Sequence, residues 1–143
     1  MLGKSTLKRY RHKEVKRFEA WLGEGMEGKH LARARMGALM LRNRTGKTDN
    51  EKQCTICREG LVEDEYHLLL QCTSMEHLRT DMRDQLKNQW GPEGYKDWEK
   101  MEEDAKFRIL VGLEGEMEDE LIKIVGGTII KMMEYRKVSV NEV

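Results

Sequence analysis

Proline occurs once in these 143 residues, cysteine three times, and no apolar run approaches the length of a membrane span. Each scarcity excludes something. A chain with one proline and many Leu, Met, Glu, Lys and Arg residues favours helices over strands. Without about 18 consecutive apolar residues, no transmembrane helix is expected. The N-terminus, MLGKSTLKRYRHKEVKRF, is basic but has no apolar centre, so it does not read as a signal peptide. The expectation is an intracellular protein, nuclear or cytoplasmic, with no membrane contact. Three thiols cannot all pair with one another. Together with four histidines they fall short of the roughly eight ligands of a two-zinc RING module. The length suits a single domain with a modest core.

Net charge is zero, but it is unevenly spread. Residues 1–47 carry 13 Lys/Arg against 4 Asp/Glu, and residues 48–143 carry 13 against 22. A basic first third suits an anionic partner, most often nucleic acid. The plainer account is two oppositely charged halves that face each other or are simply solvated.

Apolar spacing predicts five or six helices. A first runs from Ser5 to Trp21, with Lys8, Arg9, Lys13, Lys16 and Arg17 on its other face. A second runs from Glu27 to Arg44 along Leu31, Ala34, Ala38 and Leu41, with Gly37 inside it for close packing. A short helix is expected in VEDEYHLLLQC, its acidic start suited to the helix dipole. Thr73 and Glu76 fit a capping box for the next helix, which Gly91-Pro92 ends. Short helices over 95–101 and 104–113 follow, then a final one over 117–137. Gly126-Gly127 should kink that last helix or admit a neighbour. The expected fold is all-α around one small core: basic N-terminal helices (1–47), a metal-binding block (48–73) and C-terminal helices (74–143).

The block is Cys54-x2-Cys57-x9-His67-x4-Cys72. A C-x-x-C turn lets two thiolates converge on one ion while backbone amides donate to the sulfurs. His67 and Cys72, at the far end of a short helix, can supply the second pair. Three thiolates and one imidazole suit tetrahedral zinc, and with all four places filled by protein the ion is structural. A redox C-x-x-C is the rival, but such pairs open a helix after a strand, and neither flank fits. His77 is a weaker fourth ligand than His67.

These residues resemble the C-terminal zinc region of non-LTR (LINE-type) retrotransposon reverse transcriptases. The resemblance rests on LKRYRHKEVKRFEAWL, HLARARMGALMLRNRTGK and CTICREGLVEDEYHLLLQC followed by HLR. Arg35, Gly37, Leu41, Val62, Glu63, Asp64, Glu65, His67, Leu69, Leu70, Cys72 and Arg79 stand at that family's motif positions. It implies a zinc-stabilised helical domain that helps bind RNA or target DNA, with Cys54, Cys57, His67 and Cys72 as ligands. Neither a polymerase aspartate motif nor an endonuclease is present, which fits a fragment or a derivative of such an element.

The nucleic-acid candidates are Arg33, Arg35, Arg42, Arg44 and Lys47, with Arg35 and Arg42 two turns apart on one helix. Lys52 and Arg58 border the cysteines. The plainer account is a solvated helix face, though acids are scarce nearby. TGKT at Thr45 is not a phosphate-binding loop, because Leu41 stands where its first glycine belongs. The sequence therefore predicts a non-enzymatic, zinc-containing nucleic-acid binder, RNA before DNA. The alternative is an interaction module that binds a protein partner or a second copy through the Met-rich final helix.

Overall fold

The computed structural model describes residues 25–45, 48–114 and 118–141. The helix expected from Ser5 to Trp21, with its basic patch, lies outside them. Helix α1 runs over Gly25–Arg35, shorter than the pattern that carried it to Arg44. Gly37 is the reason. It sits at φ 66, a left-handed conformation natural to glycine. Its N–H donates to the Ala34 carbonyl at 3.1 Å, and the Ala38 N–H donates to Arg33 at 2.7 Å. Those two bonds make a Schellman cap, so Gly37 terminates the helix and is not an interior packing residue. Two single-turn helices follow, α2 (Arg42–Thr45) and α3 (Asp49–Lys52). Thr48 caps α3 by accepting the Glu51 N–H at 3.2 Å.

Residues 53–75 carry the cysteines, a π-helical turn at His67–Gln71 and a 3-10 turn at Thr73–Met75. Helix α4 (Glu76–Glu99) is broken by Gly91, at φ 78 and ψ 168. Pro92 opens its second half, where a missing N–H costs little. The break brings Trp98 to Trp90, ring centroids 5.6 Å apart. The capping box does not form: Met75 is the N-cap of α4 without a side-chain bond, and Thr73 instead donates to Glu59 at 2.7 Å. Helix α5 (Glu103–Leu110) ends in a second Schellman pair around Gly112. Helix α6 (Asp119–Asn141) completes the order. The fold is all-α; Gln53 and Val62 form one isolated antiparallel bridge, and there is no β-strand among the described residues.

Leu121, Val125, Ile129 and Met132 of α6 are buried against Leu31 and Ala34 of α1 and Met82 and Leu86 of α4. Phe107 of α5 meets Tyr66 edge-on at 6.0 Å. One hydrophobic cluster includes all of these core positions except half-buried Tyr66, which packs against it, and takes in Cys54, Leu68, Leu69 and Cys72 as well. The metal-binding block is thus part of the core. No helix among the described residues is long and apolar enough to cross a membrane.

The glycine pair in α6 admits a neighbour, and the neighbour is α1. A Cβ on Gly126 would collide with the backbone carbonyl of Glu27, whereas one on Gly127 would meet nothing within 4 Å. The adjacent substitutions should therefore have opposite signs. Gly126→Ala is expected to lower stability by about 2–3 kcal/mol through forced separation of the helices. Gly127→Ala is expected to raise it by about 0.5–1 kcal/mol, the usual helix-interior gain. Urea unfolding of the two variants checks both.

Candidate metal centre

Cys54 and Cys57 lie on a minimal hairpin. The Cys54 N–H donates to Leu61 at 2.8 Å and the Glu63 N–H donates to Lys52 at 2.9 Å. Between these rungs, Arg58 (φ 56) and Gly60 (φ 78) take left-handed conformations that return the chain. The turn aims the backbone N–H groups of Cys57 and Ile56 at the Cys54 sulfur.

His67 and Cys72 pose a geometric problem. Five residues of regular α-helix leave two side chains about 140° apart around the axis. The π-helical turn solves it. The Cys72 N–H donates to the His67 carbonyl at 2.7 Å, five residues back, and this wider turn carries Cys72 round beneath His67. Asp64 starts the turn by accepting the His67 N–H at 2.8 Å. The ring is oriented too. His67 Nδ1 donates to Gln71 Oε1 at 2.9 Å, which turns Nε2 towards the sulfurs as the nitrogen that would ligate a metal. That atom lies 3.4 Å from Cys57 Sγ.

The four ligand atoms of Cys54, Cys57, His67 and Cys72 lie within 4.8 Å of one another. Tetrahedral zinc, with bonds of about 2.0–2.3 Å, sets its donors roughly 3.5–3.8 Å apart, so a small contraction suffices. Cys54, His67 and Cys72 are buried and Cys57 is half-buried. Electrostatics favours a cation here. A hydrogen bond from Cys72, joined by bonds from His67 and the turn amides, holds the Cys54 thiol down at about 3 against the pull of burial. Burial pushes Cys57 up. Cys72 is pushed up by donating to Cys54 and by burial. Burial works to lower His67, but its bonds to Cys54 and Gln71 prevail and raise it. One thiolate is therefore shared among protons on its neighbours. A divalent cation replaces those protons and lets the remaining thiols ionise. The quartet can hold a metal ion.

Several supporting residues have roles that the sequence pattern did not disclose. Arg79 is 4% exposed. Its Nε donates to Leu69 at 2.7 Å, and its Nη2 donates to Leu68 at 3.2 Å and Cys72 at 3.0 Å. One guanidinium thus satisfies the carbonyls left open at the end of the ligand turn. The run Glu63-Asp64-Glu65 is more than dipole charge, for all three are buried. Only Asp64 works at the helix start. Glu65 accepts the Leu39 N–H at 3.1 Å. Glu63 accepts the Arg42 N–H at 2.9 Å and both prongs of Arg136, at 2.9 and 2.7 Å. The motif points to the acids and to Arg79; nothing in the sequence points to Arg136.

Of the five nucleic-acid candidates, Arg33 is exposed on the last turn of α1 and Arg42 is half-buried. Arg35 is fully buried and is not available to phosphate. Because α1 ends at Arg35, it does not share a helix face with Arg42 either. Lys47 and the Arg44 side chain lie outside the described residues. His77 packs against the Tyr135 ring at 4.8 Å and is not in the quartet. No protein-family model, curated protein or solved structure matches the chain.

Arg79→Met removes one guanidinium from three buried carbonyls and is expected to cost about 3 kcal/mol. Arg79→Lys should recover little of it, because an ammonium cannot reproduce the planar fork. Denaturant midpoints of the two variants check this.

Proposed function

We propose that this chain is a non-enzymatic, zinc-stabilised nucleic-acid-binding module, RNA before DNA, of the kind its sequence resembles in LINE-type reverse transcriptases. One observation carries the binding half of the reading. A groove of about 540 Å³ opens beside the metal turn, lined by Arg42, Asn50, Gln53, Thr55, Arg58 and Ser139. Among the described residues, no carboxylate lines it. Two guanidinium groups flanked by amides and hydroxyls are what a phosphate backbone uses, and the absence of a competing anion leaves those cations open to it. The groove also contains Cys54, so the ion that fixes the turn fixes the contact surface. The preference for RNA follows from the resemblance.

Zinc is the ion that a closed set of three thiolates and an imidazole suits best. Metal analysis of the purified protein is expected to give one zinc per chain. A strong chelator, or Cys57→Ala, should then cost much of the helicity contributed by residues 48–75 and lower the melting temperature, because the ion supplies folding free energy. Circular dichroism with and without chelator reads this; unchanged helicity and melting would refute it.

Binding should fall steeply with salt. Arg42→Ala and Arg58→Ala should each weaken it and reduce the slope of log K against log[salt] by about 1. Fluorescence anisotropy with a labelled single-stranded RNA and a DNA duplex, each at two salt concentrations, is the measurement. Absence of salt-dependent binding refutes the reading.

One observation favours the interaction-module reading. Met26 and Met40, 56% and 63% exposed, line a groove of about 460 Å³ with Ile130 and Met133 of α6. That reading requires a stable dimer or hetero-complex in light scattering and little binding to RNA or DNA.

A further inference from the structure

The fold of α4 back on itself at Gly91 builds a second cationic recess, which borders the ligand turn at Leu70 and contains none of the quartet residues. Arg79, Arg83 and Lys87 stand four residues apart on the first half of α4, a spacing that puts them on one helix face. Lys106 of α5 joins them. Together they line a cleft of about 400 Å³ whose other walls include Tyr95, Trp98 and Glu99. Like charges at this spacing repel; Glu76 relieves that repulsion between Arg79 and Arg83, which leaves Lys87 as the cation of the stripe that an anion would favour most.

The cations are held at the cleft without being neutralised in depth. Lys87 Nζ lies 5.0 Å from the Tyr95 ring centroid and Lys106 Nζ lies 5.5 Å from that of Trp98. Among the described residues, Lys87 pairs with no carboxylate within salt-bridge distance. Arg83 pairs with Glu76, and Lys106 pairs with Glu103 at 3.2 Å, but both carboxylates are half exposed. Exposed pairs of this kind are weak and exchange readily. Among the described residues the lining holds one acid, Glu99, one helical turn from Tyr95. Arg79 is committed to the carbonyls of the ligand turn and pairs with Glu76 at 3.5 Å, the carboxylate that also holds Arg83, so the free charge of the cleft lies on the other cations. Four cations set against Glu99 in the lining and the half-exposed Glu76 and Glu103 beside it leave a net charge of +1, which rises as the exposed pairs open. Two adjacent phosphoryls bring more charge to those cations than a single carboxylate does, about −2 on two diesters of a strand and about −1.5 to −2 on each terminal phosphoryl.

We propose that this cleft binds phosphoryl groups, two adjacent ones best, through Arg83, Lys87 and Lys106. The site uses none of the quartet residues and is separate from the groove at Arg42 and Arg58. Adjacent phosphoryls come from two sources, a single nucleic-acid strand or a free nucleotide, and the recess holds the chemistry they share.

Titration calorimetry of the full-length chain with inorganic pyrophosphate is the test. Saturable one-to-one binding is expected, weakened about tenfold or more by Arg83→Ala with Lys87→Ala, since charge-assisted bonds carry it. The pair Arg42→Ala with Arg58→Ala should leave it unchanged, so failure of this site and failure of the groove are read separately. Lys87→Met alone, at an exposed position, guards against a folding artefact and should weaken binding severalfold at an unchanged melting temperature. Displacement of pyrophosphate by an eight-nucleotide single strand supports the proposal and assigns the source as a strand; displacement by a nucleoside diphosphate supports it and assigns a free nucleotide. No pyrophosphate binding, or equal binding by the Arg83/Lys87 variants, overturns the proposal.

Discussion

A carboxylate buried to 1% exposure costs several kcal/mol unless charge and hydrogen bonds compensate it, and Glu63 is so buried. Its compensation ties the molecule together. Arg136 of α6 grips both oxygens, the first N–H of α2 donates to one of them, and the Cys54 sulfur lies 3.7 Å from the other. Its own backbone joins Lys52 on one side and Asn43 on the other. The metal hairpin, the link out of α1 and the end of α6 therefore meet at one side chain. The guanidinium also matters for the ion. Three thiolates on a divalent cation would leave a net negative charge, to which Glu63 would add from 3.7 Å away. Arg136 offsets that repulsion where it arises.

The second constraint is the spacing from His67 to Cys72. A shorter spacing would let two ligands share a face of an ordinary helix, but this one needs the π-helical turn. Such a turn leaves carbonyls without helical partners, and Arg79 takes them up. The ligand geometry, the irregular turn and the buried arginine are one arrangement seen from three sides. The HLR after the last cysteine is consequently a structural element of the site.

Much of this was legible in the sequence. The quartet followed from ligand spacing alone, because ligand chemistry is local and the intervals are short. Most helices followed from apolar period, and Gly91-Pro92 marked the break in α4. Gly37 was misread because apolar residues continue at helical spacing beyond it; Leu39 and Leu41 are buried, but from a turn. Periodicity reports which residues face the core and not whether the backbone stays helical. Arg35 was misread for a related reason. In a basic stretch an arginine counts towards a charged face, and its burial depends on tertiary packing that no local pattern encodes. Arg136 was invisible, since its partner lies 73 residues away.

Magnitudes decide how the metal and the helical core depend on each other. A structural zinc contributes roughly 10–16 kcal/mol of apparent binding free energy at neutral pH, as much as the whole stability of an ordinary domain, about 5–15 kcal/mol. An ion bound in the quartet would therefore weigh as much in holding the hairpin as the helical core does. The reverse dependence is weaker and unequal along α6. Near Gly126 that helix meets α1 backbone to backbone beside Leu31 and Val125, both fully buried, and no group there answers to the ion. Ten residues on, Arg136 is anchored by Glu63, whose position is set by the hairpin. The C-terminal turns of α6 are thus tied to the ligand hairpin by one ion pair, whereas the α1–α6 contact near Gly126 rests on apolar packing.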